Sequence, residues 1–160
     1  CQTLTGPWQV QFDPNWGGPE RVTFLELIDW AQHPDVGVRY YSGKATYTCS
    51  FNFGTTIEEG KRLLLDLGCV HEVAAVRVNG QALGVLWNRP LRVNINETVK
   101  AGLNRLEIDV VNLWPNRLIG DSLLPDDERF TQTNIRKFTP KSKLLPSGLL
   151  GPVTIKREGI

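Results

Sequence analysis

The stretch Lys44-Ala-Thr-Tyr-Thr-Cys-Ser-Phe-Asn-Phe53 constrains the fold most. Ala45, Tyr47, Cys49, Phe51 and Phe53 alternate with Lys44, Thr46, Thr48, Ser50 and Asn52. A period of two places the apolar set on one face of an extended chain, the pattern of a strand buried on one side. Arg62 to Leu67 repeats it, with Leu63, Leu65 and Leu67 inward. Then Val73–Val78 leads through Asn79-Gly80 into Gln81–Val85. Asn-Gly suits the type I′ turn, in which both central residues need positive φ. A two-residue loop pairs Val78 with Gln81, Val76 with Leu83 and Ala74 with Val85. Further strands are expected at Trp8–Phe12, Leu91–Ile95, Asn104–Leu113 and Gly151–Lys156.

One helix is expected over residues 23–31. Thr23-Phe-Leu-Glu26 has the capping-box spacing, and Phe24, Leu27, Ile28 and Ala31 share a helical face. His33-Pro34 ends it, because the residue before proline avoids the helical region. Short strands joined by hairpins read as an all-β protein, an antiparallel jelly-roll β-sandwich with one short helix, occupying residues 1–160 as a single domain. Two segments escape the regular spacing: the Gly/Pro-rich stretch 13–22 and the longer stretch 114–150. A loop of that length in a compact domain is usually functional.

Composition then narrows the function. A chain of 160 residues suits one domain and is too short for a barrel of eight βα units, which needs about 250. A net charge of +1 creates no long-range field, so nucleic acid is not an expected partner. No apolar run approaches the roughly 20 residues of a membrane helix, so no membrane insertion is expected. The chain starts at Cys1 and lacks Met, and reads as a processed or excised piece. A mature lipoprotein also begins with Cys, so Cys1 is a candidate lipid anchor. Cys49 and Cys69 lack zinc-site spacing. Two buried free thiols are expected, with a Cys49–Cys69 bond as the alternative in an oxidising compartment.

Catalytic signatures are weak. Ser147 lacks the flanking glycines of a nucleophile elbow. Gly54-x5-Gly60-Lys61-Arg62 resembles a P-loop with one residue too many and Arg in place of the Mg²⁺-binding hydroxyl. His71-Glu72 is a candidate proton shuttle or metal pair, with a structural role favoured. Asp121, Asp126, Asp127 and Glu128 cluster in the long loop. Two carboxylates flanking a glycosidic bond suffice for sugar hydrolysis, and the same acids offer oxygens to a structural Ca²⁺, although the EF-hand pattern is absent. A solvated acidic turn is the plainer reading, and no cofactor is expected.

Aromatic residues beside amides and arginines carry more information. Trp87-Asn88-Arg89-Pro90 and Trp114-Pro115-Asn116-Arg117 both stand outside strand patterning. A sugar is bound by a flat apolar face and a few placed polar groups; Trp supplies the first, Asn and Arg the second. Trp87, Asn88, Arg89, Trp114, Asn116 and Arg117 are therefore the candidate carbohydrate contacts. The competing reading has both tryptophans capping the core and the arginines pairing with loop acids.

In order, these motifs resemble a known module. Gly6-Pro-Trp-Gln-Val-Gln-Phe12, Tyr41-Ser-Gly-Lys-Ala-Thr-Tyr47, Leu65-Asp-Leu-Gly68, Ala75–Gly84, Ala101–Ile108 and Ser147-Gly-Leu-Leu-Gly-Pro-Val-Thr-Ile155 resemble the sugar-binding β-sandwich of glycoside hydrolase family 2. Trp30, Trp87, Asn112–Asp121 and Leu144–Gly148 are also similar to the C-terminal sandwich of family 106 α-L-rhamnosidases. The resemblance covers nearly the whole chain. It implies a galactose-binding-like domain that does no catalysis itself, within a periplasmic or extracellular glycoside hydrolase acting on plant or host polysaccharide. Its implied partners are the catalytic domain of the same polypeptide and an oligo- or polysaccharide. By position, it also implies that the loop holding Asp121, Asp126, Asp127 and Glu128 leans toward the partner's active site. The alternative is an autonomous carbohydrate-binding module.

Overall fold

The computed structural model describes residues 1–54, 60–134 and 136–159. Residues 55–59, inside the P-loop-like Gly54–Gly60 spacing, lie outside the described residues. In chain order the elements are β1 (Gln2–Thr3), β2 (Trp8–Gln11), β3 (Val22–Phe24), α1 (Val36–Arg39), β4 (Lys44–Phe53), β5 (Lys61–Asp66) and β6 (Cys69–His71). They continue with β7 (Val73–Val78), β8 (Gln81–Leu86), β9 (Arg92–Asn94), β10 (Gly102–Val111), α2 (Pro115–Asp121), β11 (Gly148–Gly151) and β12 (Thr154–Gly159).

The strands form a six-stranded sheet ordered β3-β2-β4-β10-β7-β8, a four-stranded sheet ordered β1-β12-β5-β9, and the small pair β11-β6. Among the described residues every ladder is antiparallel, and Gly68 makes an isolated parallel bridge to Gly151. The alternation in β4 does what its period requires: Ala45, Tyr47, Cys49, Phe51 and Phe53 are all buried. Across the central ladder β10 sends Leu106, Ile108 and Val110 to the same side, and β5 contributes Leu63 and Leu65 from the opposing sheet. These side chains join one apolar core between the two large sheets. Burial of that surface is the main favourable term in folding. The all-β sandwich expected from the alternation is the fold observed.

The helix lies elsewhere than expected. Over 23–31, Phe24 pairs with Trp8 as the end of β3, and Trp30–Gln32 forms only a 3-10 turn. Asp29 caps that turn through Ala31 N–H (2.9 Å) and also accepts from Ser147 N–H (2.8 Å). Strand pairing and these long-range bonds override the local capping box. Among the described residues the longest helix is α2, inside the segment expected to be a loop. Pro115 stands in its first turn, where a missing N–H costs nothing.

The Asn79-Gly80 turn forms as expected, with φ of 51° and 83°. Its hairpin register differs by one residue beyond the first pairs. Val78 faces Gln81, but Val76 faces Gly84 and Ala75 faces Val85, with a bulge between Val76 and Arg77. Leu83 is the additional residue, and Gly84 at φ 116° absorbs the irregular backbone. The three cysteines are free; Cys49 is buried and Cys69 half-buried.

Candidate functional site

Antiparallel pairing collects the candidate residues at one end of the six-stranded sheet. Val111 ends β10 opposite Lys44 of β4 and Val73 of β7. Leu86 ends β8 opposite Ala74. The chain therefore leaves the sheet toward Trp87 and toward Trp114 at the same end. Gln11, paired with Thr46, leads there to the 3-10 turn Pro14–Trp16.

Trp87 is 76% exposed and Trp114 52%. Neither caps the core. Trp114 meets Trp16 edge-to-face, with centroids 5.3 Å apart and planes at 77°. Such a pair contributes about 0.5–1.5 kcal/mol beyond its buried area and fixes the ring orientation. Two shallow cavities flank it. One, of about 220 Å³, lies between the pair and Tyr41–Lys44. The other, of about 330 Å³, adds Leu118, Phe130, Thr131 and Thr133. Trp16 was not among the candidates from sequence. Its only signal was a Trp within the Gly/Pro-rich stretch 13–22.

Asn116 and Arg117, expected to face a sugar, are buried and bonded inside the protein. Asn116 Nδ2 donates to Leu145 O (2.7 Å) and Ser147 Oγ (3.0 Å), while its Oδ1 accepts from Leu145 N–H (2.8 Å). Arg117 Nε donates to Asp121 Oδ1 at 3.0 Å, one helical turn on, and its guanidinium stacks 4.6 Å above the Phe130 ring. Burial draws the Arg117 guanidinium below its ordinary range, and Asp121 opposes that. Here the competing reading, an arginine paired with a loop acid, describes the site. The reason is helix periodicity: residues 117 and 121 share the face of α2 turned inward.

Asp121 is likewise buried. Besides Arg117 it accepts from Phe130 N–H (3.3 Å), Thr131 N–H (2.8 Å) and the Thr131 hydroxyl. Its carboxylate thus ties the returning loop to α2. Asp126, Asp127 and Glu128 form an exposed 3-10 turn. Asp126 bridges Arg129 Nη1 (2.6 Å) and Arg136 Nη2 (2.9 Å). Among the described residues, no three His, Cys, Asp or Glu side chains gather as a metal site. Asn88 and Arg89 are exposed beside Trp87, and Arg89 Nη2 reaches Cys69 Sγ at 3.7 Å. His71 stands 3.7 Å from Glu72 and 3.6 Å from Cys69 Sγ.

The closing Ser147-Gly148 motif serves the fold. Ser147 Oγ accepts from Asn112 Nδ2 (3.1 Å) and Asn116 Nδ2 and donates to Leu145 O (3.1 Å). Trp30 N–H donates to Ser147 O (3.0 Å), and Trp30 Nε1–H to the Tyr47 hydroxyl (2.6 Å). Gly148 lies against the Trp30 indole, where a Cβ would come within 2.5 Å of Nε1. This buried polar knot, fully hydrogen-bonded, fixes where the Trp114 segment leaves the sheet.

Known proteins share this architecture. A rhamnosidase from Novosphingobium sp. PP1Y superposes with a TM-score of 0.93 and 40% identity, over 99% of this chain and 15% of that one. A candidate beta-glucuronidase of Formosa agariphila is 37% identical over 95% of this chain and 15% of its own length. The beta-glucuronidase of Ruminococcus gnavus shares the fold at a TM-score of 0.58 and 24% identity, over 69% of this chain and 20% of that one. The chain thus spans about one-seventh of its larger relatives. Residues 31–142 match the glycosyl hydrolase 2 galactose-binding domain-like family, and the chain belongs to that family.

Proposed function

We propose that this chain is an accessory domain of a multidomain glycoside hydrolase, that it packs on the catalytic domain of the same polypeptide, and that its Trp16–Trp114 end helps shape the sugar site. The observation that carries this reading is the correspondence of almost the whole chain to about 15% of much longer glycosidases. Half-exposed Trp114 and exposed Trp87 at one end of the sheet supply the apolar surface such contacts need. The similarity to a rhamnosidase and to a candidate beta-glucuronidase supports a parent enzyme that hydrolyses sugar linkages; its setting in this proposal is periplasmic or extracellular.

Complementation tests the reading. The remainder of the parent polypeptide, expressed without these residues, is expected to lose most activity and to regain it when the chain is added in trans. Full activity of the remainder alone contradicts the proposal. The second reading, an autonomous carbohydrate-binding module, is favoured only by the Trp16–Trp114 pair with its flanking cavities. It requires the chain by itself to bind neutral oligosaccharides, with a shift in tryptophan fluorescence that Trp114→Ala abolishes.

A further inference from the structure

Charge is unevenly distributed along a chain whose net charge is only +1. Residues 129–143 contain Arg129, Arg136, Lys137, Lys141 and Lys143 and no acid. Residues on both sides of position 135 join α2 in bordering an open hollow of about 260 Å³, lined by Leu118, Arg129, Thr131, Thr133, Arg136 and Phe138 among others. Leu118, Thr131 and Thr133 also line the cavity beside Trp114, so the two hollows adjoin.

The cavity's chemistry is specific. Arg129 is held in place, its Nε donating to Asp121 O (3.0 Å) and Leu124 O (3.1 Å), while Nη1 points to Asp126. Arg136 reaches the other oxygen of the same carboxylate. Asp126 is exposed and lies across two guanidinium groups as an internal carboxylate ligand. Asp126 stands behind the two arginines and outside the lining; the acid that does line the cavity, Asp121, is already balanced by Arg117 and by loop donors. Leu118 and the Phe138 ring add apolar surface beside the two guanidinium groups, the combination of a flat apolar face and placed polar groups that binds a sugar ring. The volume lies just under the range of about 300–1,000 Å³ for small-molecule pockets, room for one residue and not a chain.

We infer that this cavity binds an anionic sugar unit, its carboxylate or sulfate group taking the place of the Asp126 carboxylate between Arg129 and Arg136. Guanidinium forks recognise planar or tetrahedral oxyanions in this way. The ring then extends toward Trp114. The inference rests on the reading that this end of the chain meets carbohydrate, and it adds the substrate class: acidic glycans.

Titration calorimetry on the 160-residue chain tests it with three probes: D-galacturonic acid, galactose 6-sulfate and neutral galactose. Millimolar binding of an acidic probe, with none of galactose, is expected; the two acidic arms separate carboxylate from sulfate recognition. Arg136→Gln is expected to weaken acid binding about tenfold, the effect of one charge-assisted bond. Asp126→Asn is expected to tighten it, because the internal competitor is gone. Glu97→Gln, which changes the charge equally at the β9–β10 end, is expected to leave it unchanged. Equal binding of neutral and acidic probes, no binding of either acid, or tightening by Glu97→Gln equal to that by Asp126→Asn would overturn the inference. Each of those results leaves the accessory-domain reading to the complementation experiment, which needs no sugar affinity from the chain alone.

Discussion

Arg117 and Asp121 form a buried ion pair one helical turn apart, Nε to Oδ1 at 3.0 Å. It sits where the chain leaves the sheet and holds both α2 and the returning loop. Removing one member leaves the other charged and buried, which costs about 3–5 kcal/mol. Arg117→Ala and Asp121→Ala are each expected to lower the urea midpoint sharply. Replacing both with leucine is expected to recover only part of the loss: no uncompensated charge remains, but the Phe130 and Thr131 donors lose their acceptor. Near-neutral single variants would contradict the structural role of the pair.

Gly148→Ala is expected to destabilise by about 3 kcal/mol or more. The new Cβ would meet the Trp30 indole at 2.5 Å, in a backbone with φ of 96°. Gly54→Ala serves as the comparison, since a Cβ there meets nothing within 4 Å, and its effect is expected within about 0.5 kcal/mol. Thermal unfolding of the two variants reads the difference.

The sandwich was legible in residues 44–53, 62–67 and 104–110 because burial on one side enforces a period of two. The Asn79-Gly80 turn was legible because its φ values admit few residues. The bulge at Leu83 was not, since nothing local distinguishes a one-residue shift from a regular hairpin. Helix α2 was hidden by a segment rich in Trp, Pro, Asn and Gly, and it forms through tertiary bonds: Arg117 N–H to Ser42 Oγ at 3.0 Å, and the close approach of Gly120 to Tyr40. Of the proposed sugar contacts, sequence located the exposed tryptophans and misplaced Asn116 and Arg117. An amide or guanidinium beside a Trp reads alike whether it faces solvent or a buried serine. Trp16 was missed because its partnership with Trp114 is long-range.

Cysteine chemistry offers a third test. Burial pushes the Cys49 thiol up to about 12. At about pH 8 its thiolate is scarce and shielded, and the thiolate is the reactive form. Mass-resolved alkylation of the native chain is expected to modify exposed Cys1 first and to spare Cys49 until the protein unfolds. Early modification of Cys49 would show that β4 opens locally.

Acid stability follows from Asp66 and Asp109. Burial pushes both carboxyls up, but bonds outweigh it and hold them below the ordinary carboxylate range. For Asp66 these come from Lys156, the Gly68 N–H and Arg92; for Asp109, from Arg77 and Thr46. With the folded pKa depressed, their stabilisation is complete above the unfolded value of about 3.9 and is lost as pH falls through the folded value. The urea midpoint is expected to hold steady from about pH 7 to 5 and to drop below about pH 4. Asp66→Asn is expected to start lower at neutral pH and to show a shallower drop. An unchanged acid limb in that variant would remove Asp66 from the account.

In the proposed function the Trp16–Trp114 end serves the sugar site of a larger glycosidase. The most direct measurement is kcat/KM of the full-length parent enzyme carrying Trp114→Ala, beside the melting temperature of the isolated domain with the same change. Loss of a half-exposed ring costs the fold about 1 kcal/mol, the scale of one edge-to-face contact. A fall in kcat/KM of about tenfold or more is expected, with a melting temperature lowered by only a few degrees. Wild-type kcat/KM in the Trp114→Ala enzyme would contradict it.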